Sequence, residues 1–66
     1  MTNKQVEEKL TELDHQEPFI PFVVDLLDGQ SLMLTHPPVF DDTGAGYFDP
    51  DGGLADFEFK AVRGIR

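Results

Sequence analysis

The sequence has no cysteine, and its five lysines and arginines stand against thirteen aspartates and glutamates. Without cysteine there is no disulfide, no thiolate zinc site and no thiol nucleophile. The absence fits a reducing compartment, and a cytoplasmic location is the expectation. The shortage of positive charge leaves a net charge of −8. Direct nucleic-acid binding is not expected, because it depends on Lys and Arg displacing counterions from phosphates. The same argument applies to anionic membrane surfaces. No stretch approaches the ~20 consecutive apolar residues of a membrane span. The opening Met1-Thr2-Asn3-Lys4-Gln5 turns acidic before any apolar run begins, unlike a signal peptide. The acidity favours solubility and attraction toward basic partners.

With 66 residues the expectation is one domain, residues 1–66, around one thin core. A chain of this size buries only about 60% of the surface it exposes when unfolded, so its stability is marginal unless packing, a metal or a partner subunit helps. Most of the core must come from Phe19, Phe22, Phe40, Tyr47, Phe48, Phe57 and Phe59. Each buried aromatic removes ~150–250 Å² from water. None lies in the first 18 residues, so the first segment must dock on structure built by the rest.

That first segment reads as an amphipathic helix over about residues 3–14. Val6, Leu10 and Leu13 recur at helical spacing on one face, with Glu7, Glu8, Lys9 and Glu12 on the solvated side. Thr2 and Gln5 have the spacing of a capping box. His15 suits the last turn, and Pro18 stops the helix. Pro18-Phe19-Ile20-Pro21-Phe22 is then a rigid, extended entry to a β region over about 19–65. Residues 22–27 alternate, with Phe22, Val24 and Leu26 on one face and Val23, Asp25 and Leu27 on the other. Asp28-Gly29 predicts a two-residue type I′ turn into a returning strand from Gln30 to Thr35. Its residues Leu32 and Leu34 share one face, Ser31 and Met33 the other, and His36-Pro37-Pro38 ends it.

Beyond this hairpin the pattern is less regular. Asp41-Asp42-Thr43-Gly44 is turn material, residues 44–48 form a third strand weakened by glycine, and 49–53 form a second tight turn. Residues 54–59 alternate, with Phe57 and Phe59 opposite Asp56 and Glu58, and 60–65 form a short last strand. The fold class that follows is α+β, an N-terminal helix followed by a four- or five-stranded antiparallel sheet curled into a small, partly open barrel. An open sheet with the helix on one face is the alternative.

Few residues carry chemistry. Asp41, Asp42, Asp49 and Asp51 cluster within eleven positions, and Asp49-Pro50-Asp51-Gly52 faintly resembles the start of a calcium loop. With Asp49 at position one, Gly53 and Lys60 fall where such a loop needs an acid or amide and a glutamate, so the match fails. Turn formation accounts for these aspartates. His15 and His36 are the only groups that ordinarily titrate near neutrality, and a zinc site would need further carboxylate ligands. Ser31, Thr2, Thr35 and Thr43 have neither a nucleophile-elbow motif nor a base partner. The glycines at 44, 46, 52 and 53 are followed by no phosphate-loop lysine. No catalytic residue, cofactor site or enzyme activity is therefore expected. The outer hairpin face, Val23, Leu27 and Met33, is the candidate interaction surface, either covered by the helix or open to a partner.

The run Pro18-Phe19-Ile20-Pro21-Phe22, then Asp28-Gly29, then His36-Pro37 resembles a group of short uncharacterised bacterial proteins with a Pro-Phe-x-Pro-Phe opening, an Asp-Gly turn and a strand ending in His-Pro. The resemblance spans about residues 18–37, with an echo in 59–65. Pro38 replaces an acid usual in that group, and residues 41–53 have no counterpart. The order of helix, Asp-Gly hairpin and further strands is also similar to Sm-like small barrels, which form rings by strand pairing and bind RNA through basic loops. The acidic loops here depart from them, so the resemblance implies the architecture but not RNA binding. Three functions follow as expectations. One is a non-catalytic module that binds another protein or itself. The others are an acidic decoy of nucleic acid on a basic protein, and a subunit lending Asp41, Asp42, Asp49, Asp51 and His36 to a larger assembly.

Overall fold

A computed structural model describes all 66 residues. Helix α1 runs Asn3–Asp14 and is capped at both ends. The Thr2 hydroxyl accepts from the Gln5 amide at 3.1 Å, and the Gln5 side chain accepts from the Thr2 amide at 2.9 Å. At the other end the Nδ1–H of His15 donates to the Thr11 carbonyl at 2.7 Å. Only Val6 and Leu10 are fully buried on the narrow apolar stripe, with Leu13 packed at its margin. An isolated helix of this length is marginal, so its docking on the β region is what holds it.

Six strands follow: β1 (Phe22–Leu26), β2 (Ser31–Leu34), β3 (Val39–Phe40), β4 (Gly44–Phe48), β5 (Leu54–Glu58) and β6 (Val62–Ile65). They form two separate antiparallel sheets, ordered β2-β1-β6 and β3-β4-β5. The expected single sheet of four or five strands, curled into a barrel, is therefore corrected. The physical reason lies at the two places where the chain changes sheet. Pro37 and Pro38, which carry no N–H, separate β2 from β3 and cannot continue a ladder. A 3-10 turn at Phe59–Ala61 separates β5 from β6, and α1 packs against it. Strand β3 is the element the sequence reading missed, since two residues carry no periodicity.

The hairpin forms, with Phe22 opposite Leu34 and Asp25 opposite Ser31. Its turn differs from expectation. Within the turn only Gly29 has a positive φ, +93°, and no non-glycine residue of the protein does. The Gly29 amide donates to Leu26 and the Leu26 amide to Gln30, so the loop is three residues, Leu27-Asp28-Gly29. A type I′ turn demands the left-handed region at Asp28 as well as at Gly29. The three-residue loop needs that conformation only at glycine.

Both sheets turn their inner faces to one core. It holds Val6, Leu10, Phe22, Val24, Leu26, Leu34, Ala45, Tyr47, Phe57, Phe59 and Val62. Phe59 is its hub: it is fully buried, its ring centroid 6.4 Å from that of Phe57 and 6.5 Å from that of Phe40.

Candidate functional site

The aspartates singled out by sequence are used locally. Asp41 Oδ1 accepts from the amides of Thr43 at 2.8 Å and Gly44 at 2.9 Å, and from the Thr43 hydroxyl at 3.0 Å. The Thr43 amide, and after it that of Gly44, holds the Asp41 carboxyl below its ordinary pKa. Asp49 Oδ1 accepts from the amides of Asp51 at 3.0 Å and Gly53 at 2.9 Å, closing the second tight turn. Asp42 and Asp51 lie exposed beside them. No three His, Asp or Glu side chains converge as a metal-ligand group. His36 is exposed, its Nδ1 3.1 Å from the Thr35 hydroxyl.

The one charged residue that is buried as a whole is Asp25. It points to the side of β1 opposite the core, where Ser31 donates to Oδ1 at 2.7 Å and Arg66 Nε donates to Oδ2 at 2.9 Å. The main chain of Arg66 pairs with that of Val23 by two hydrogen bonds of 2.8 Å. The guanidinium, helped by the Ser31 hydroxyl, holds the Asp25 carboxyl below the usual carboxylate range. A folded-state pKa below the unfolded one means that the native state binds fewer protons. The stabilisation is thus complete above the ordinary value of 3.8 and is lost as pH falls through the lower folded value. Urea titrations at a series of pH values should show Asp25→Asn less stable than the parent near neutrality, with the gap narrowing below about pH 4. A gap that stays constant to the most acid pH would refute this role.

Of the hairpin residues expected to face a partner, Val23 and Met33 lie in the strands and Leu27 in the turn. Leu27 and Met33 are exposed, and the helix does not cover them. Val23 stands opposite Met33 and is half-buried.

The larger apolar exposure lies on the outer face of the second sheet. Val39 is 83% exposed, Leu54 79% and Phe48 53%. The register sets Val39 opposite Gly46, Gly46 opposite Asp56, and Phe48 opposite Leu54. Because Gly44, Gly46 and Phe48 share one face of β4, the outward surface has a furrow along its centre strand. Val39 and Asp56 are its walls, Phe48 and Leu54 one end, and Glu58 the other. A hollow of about 530 Å³ fills the apolar end, and a second of about 750 Å³ the acidic end; both are lined by Val39, Gly46 and Asp56. Glu58 is ion-paired with Lys60 at 3.2 Å, whereas Asp56 has no cationic partner.

Part of this face could have been found from parity alone. Leu54 alternates with Asp56 and Glu58, the expected outward residues, and Phe48 with Gly44 and Gly46. Val39 could not, because its facing depends on a two-residue strand whose register only the fold defines.

Compared with family models, with curated proteins and with solved structures, the chain matches none.

Proposed function

We propose that this protein is a non-catalytic interaction module that binds another protein through the outer face of its second sheet. The observation that carries the reading is the side-by-side exposure of Val39, Phe48 and Leu54 around a glycine-floored furrow. Scattered apolar residues are ordinary on protein surfaces, whereas a contiguous apolar patch with a polar rim is a feature of binding sites. Three of the four candidate hydroxyls support the non-catalytic half of the reading, since they serve local structure. Thr2 caps α1, Ser31 donates to a carboxylate held ionised by Arg66, and Thr43 closes the Asp41 turn.

The test is to immobilise the protein and its Val39→Ser/Leu54→Ser variant, pass both over lysate of the source organism, and compare the retained proteins. Both substituted side chains are mostly solvent-exposed, so the variant should unfold within about 0.5 kcal/mol of the parent. A partner held by the parent and lost by the variant is the expected result. A partner held equally by both, or none by either, rejects this face as the binding surface.

A further inference from the structure

Resting on that reading, we infer that the occupant of the furrow is an extended, cationic segment of another protein, with a large apolar side chain next to a lysine or arginine. Three observations carry this. The first is Gly46. A glycine inside a strand costs roughly 0.5–1 kcal/mol relative to alanine. Nothing in the fold requires one here, because a β-carbon at Gly46 would come no closer than 3.9 Å to its neighbours, an ordinary contact, and its φ is not positive. Gly44, two rungs away on the same face, differs: its β-carbon would lie 2.8 Å from the Phe57 carbonyl oxygen, so the fold itself accounts for it. A strand glycine that serves neither a bulge nor a bend fits a place where a ligand or another chain approaches closely.

The second observation is chemical polarity along the furrow. Val39, Phe48 and Leu54 offer an apolar seat, and the unpaired Asp56 carboxylate forms the wall on the Gly46 rung. An apolar side chain at one end with a cation beside it satisfies both. The third is the net charge of −8. Two copies meeting through this face would bring two Asp56 carboxylates and two strongly negative molecules together, which disfavours a second copy as occupant. The same field speeds the approach of a cationic segment.

The experiment is selection of a random nonapeptide library on the intact protein, followed by synthesis of the enriched peptide. Its affinity is then measured against the parent, Gly46→Val, Leu54→Ser and Asp56→Asn, with amide chemical shifts to locate it. Gly46→Val fills the furrow while placing a β-branched residue in a strand, and its melting temperature should not fall; Leu54→Ser serves if it does. The expected result is enrichment of Lys or Arg beside Phe, Leu or Val, with shifts centred on Gly44, Gly46 and Leu54. Affinity should weaken ~tenfold or more for Gly46→Val and Leu54→Ser, and by about 2–5-fold for Asp56→Asn. It should also fall with added salt. Neutral or acidic enriched peptides that still need Gly46 would overturn the cationic occupant and leave the binding face standing. Peptides that bind Gly46→Val as well as the parent, or shift Leu27 and Met33 instead, would overturn the furrow. A concentration-dependent dimer abolished by Gly46→Val would make a second copy the occupant. Absence of any enrichment would overturn both readings.

Discussion

Replacing Phe59 by alanine is expected to remove most of the stability of this protein. The side chain is wholly buried, stacks obliquely on Phe57 and Phe40, and lies in the 3-10 turn against which α1 packs. Truncating a buried phenylalanine costs about 3–5 kcal/mol, from lost transfer energy and the cavity left behind. At 66 residues the whole stability is roughly 3–10 kcal/mol. Urea unfolding followed by circular dichroism should therefore show Phe59→Ala largely unfolded, or folded with its transition moved far to lower denaturant. Leu54→Ala, at a mostly exposed position, should shift it by no more than about 0.5 kcal/mol. A loss under about 1 kcal/mol for Phe59→Ala would mean that the site collapses around the smaller side chain, and that the core does not centre on this residue.

The second large effect is a contrast between two glycines on one face of one strand. Alanine at Gly44 places its β-carbon 2.8 Å from the Phe57 carbonyl oxygen, a backbone atom that cannot swing aside. The β4–β5 ladder must shift, with Ala45 opposite Phe57 and Gly44 opposite Glu58 moved along with it. Crowding of this kind costs about 1–3 kcal/mol. Alanine at Gly46 meets nothing closer than 3.9 Å, so relief of the glycine penalty should stabilise by roughly 0.5–1 kcal/mol. Thermal denaturation of the two variants should move in opposite directions. Equal destabilisation at both positions would show that Gly46 has a structural role of its own, and would remove the main support for a close external approach there.

Legibility followed the range of the interactions. Helix α1 was readable because its stripe of Val6, Leu10 and Leu13, its Thr2/Gln5 cap and its Pro18 stop all lie within a few residues of one another. The hairpin was readable for the same reason, although its turn type was not. Asp-Gly suits both a type I′ turn and a three-residue loop, and the choice rests on the pairing of Leu26 with Gln30. The turn roles of Asp41 and Asp49 were legible too, since Asx turns close over two to four residues. Val23 and Met33 share a face by alternation, and the pairing of β1 with β2 sets them opposite each other. The apolar face of the second sheet was not legible. Val39, Phe48 and Leu54 come from three strands and meet only once β3 pairs with β4.

The sequence by itself determined the α+β class, the acidic surface, the helix with its caps and the inward rows Phe22-Val24-Leu26 and Phe57-Phe59. Periodicity and composition are properties of neighbouring residues, and folding cannot change them. The tertiary structure decided what depends on distant residues. It divided the strands into two sheets at Pro37-Pro38 and at the Phe59–Ala61 turn, and it joined Asp25 to Arg66 across 41 positions. It also set Val39 across Gly46 from Asp56, which made a furrow from residues of three strands. Register between strands is fixed by how the whole core packs, and a one-residue slip would have sent each of these side chains to the opposite face.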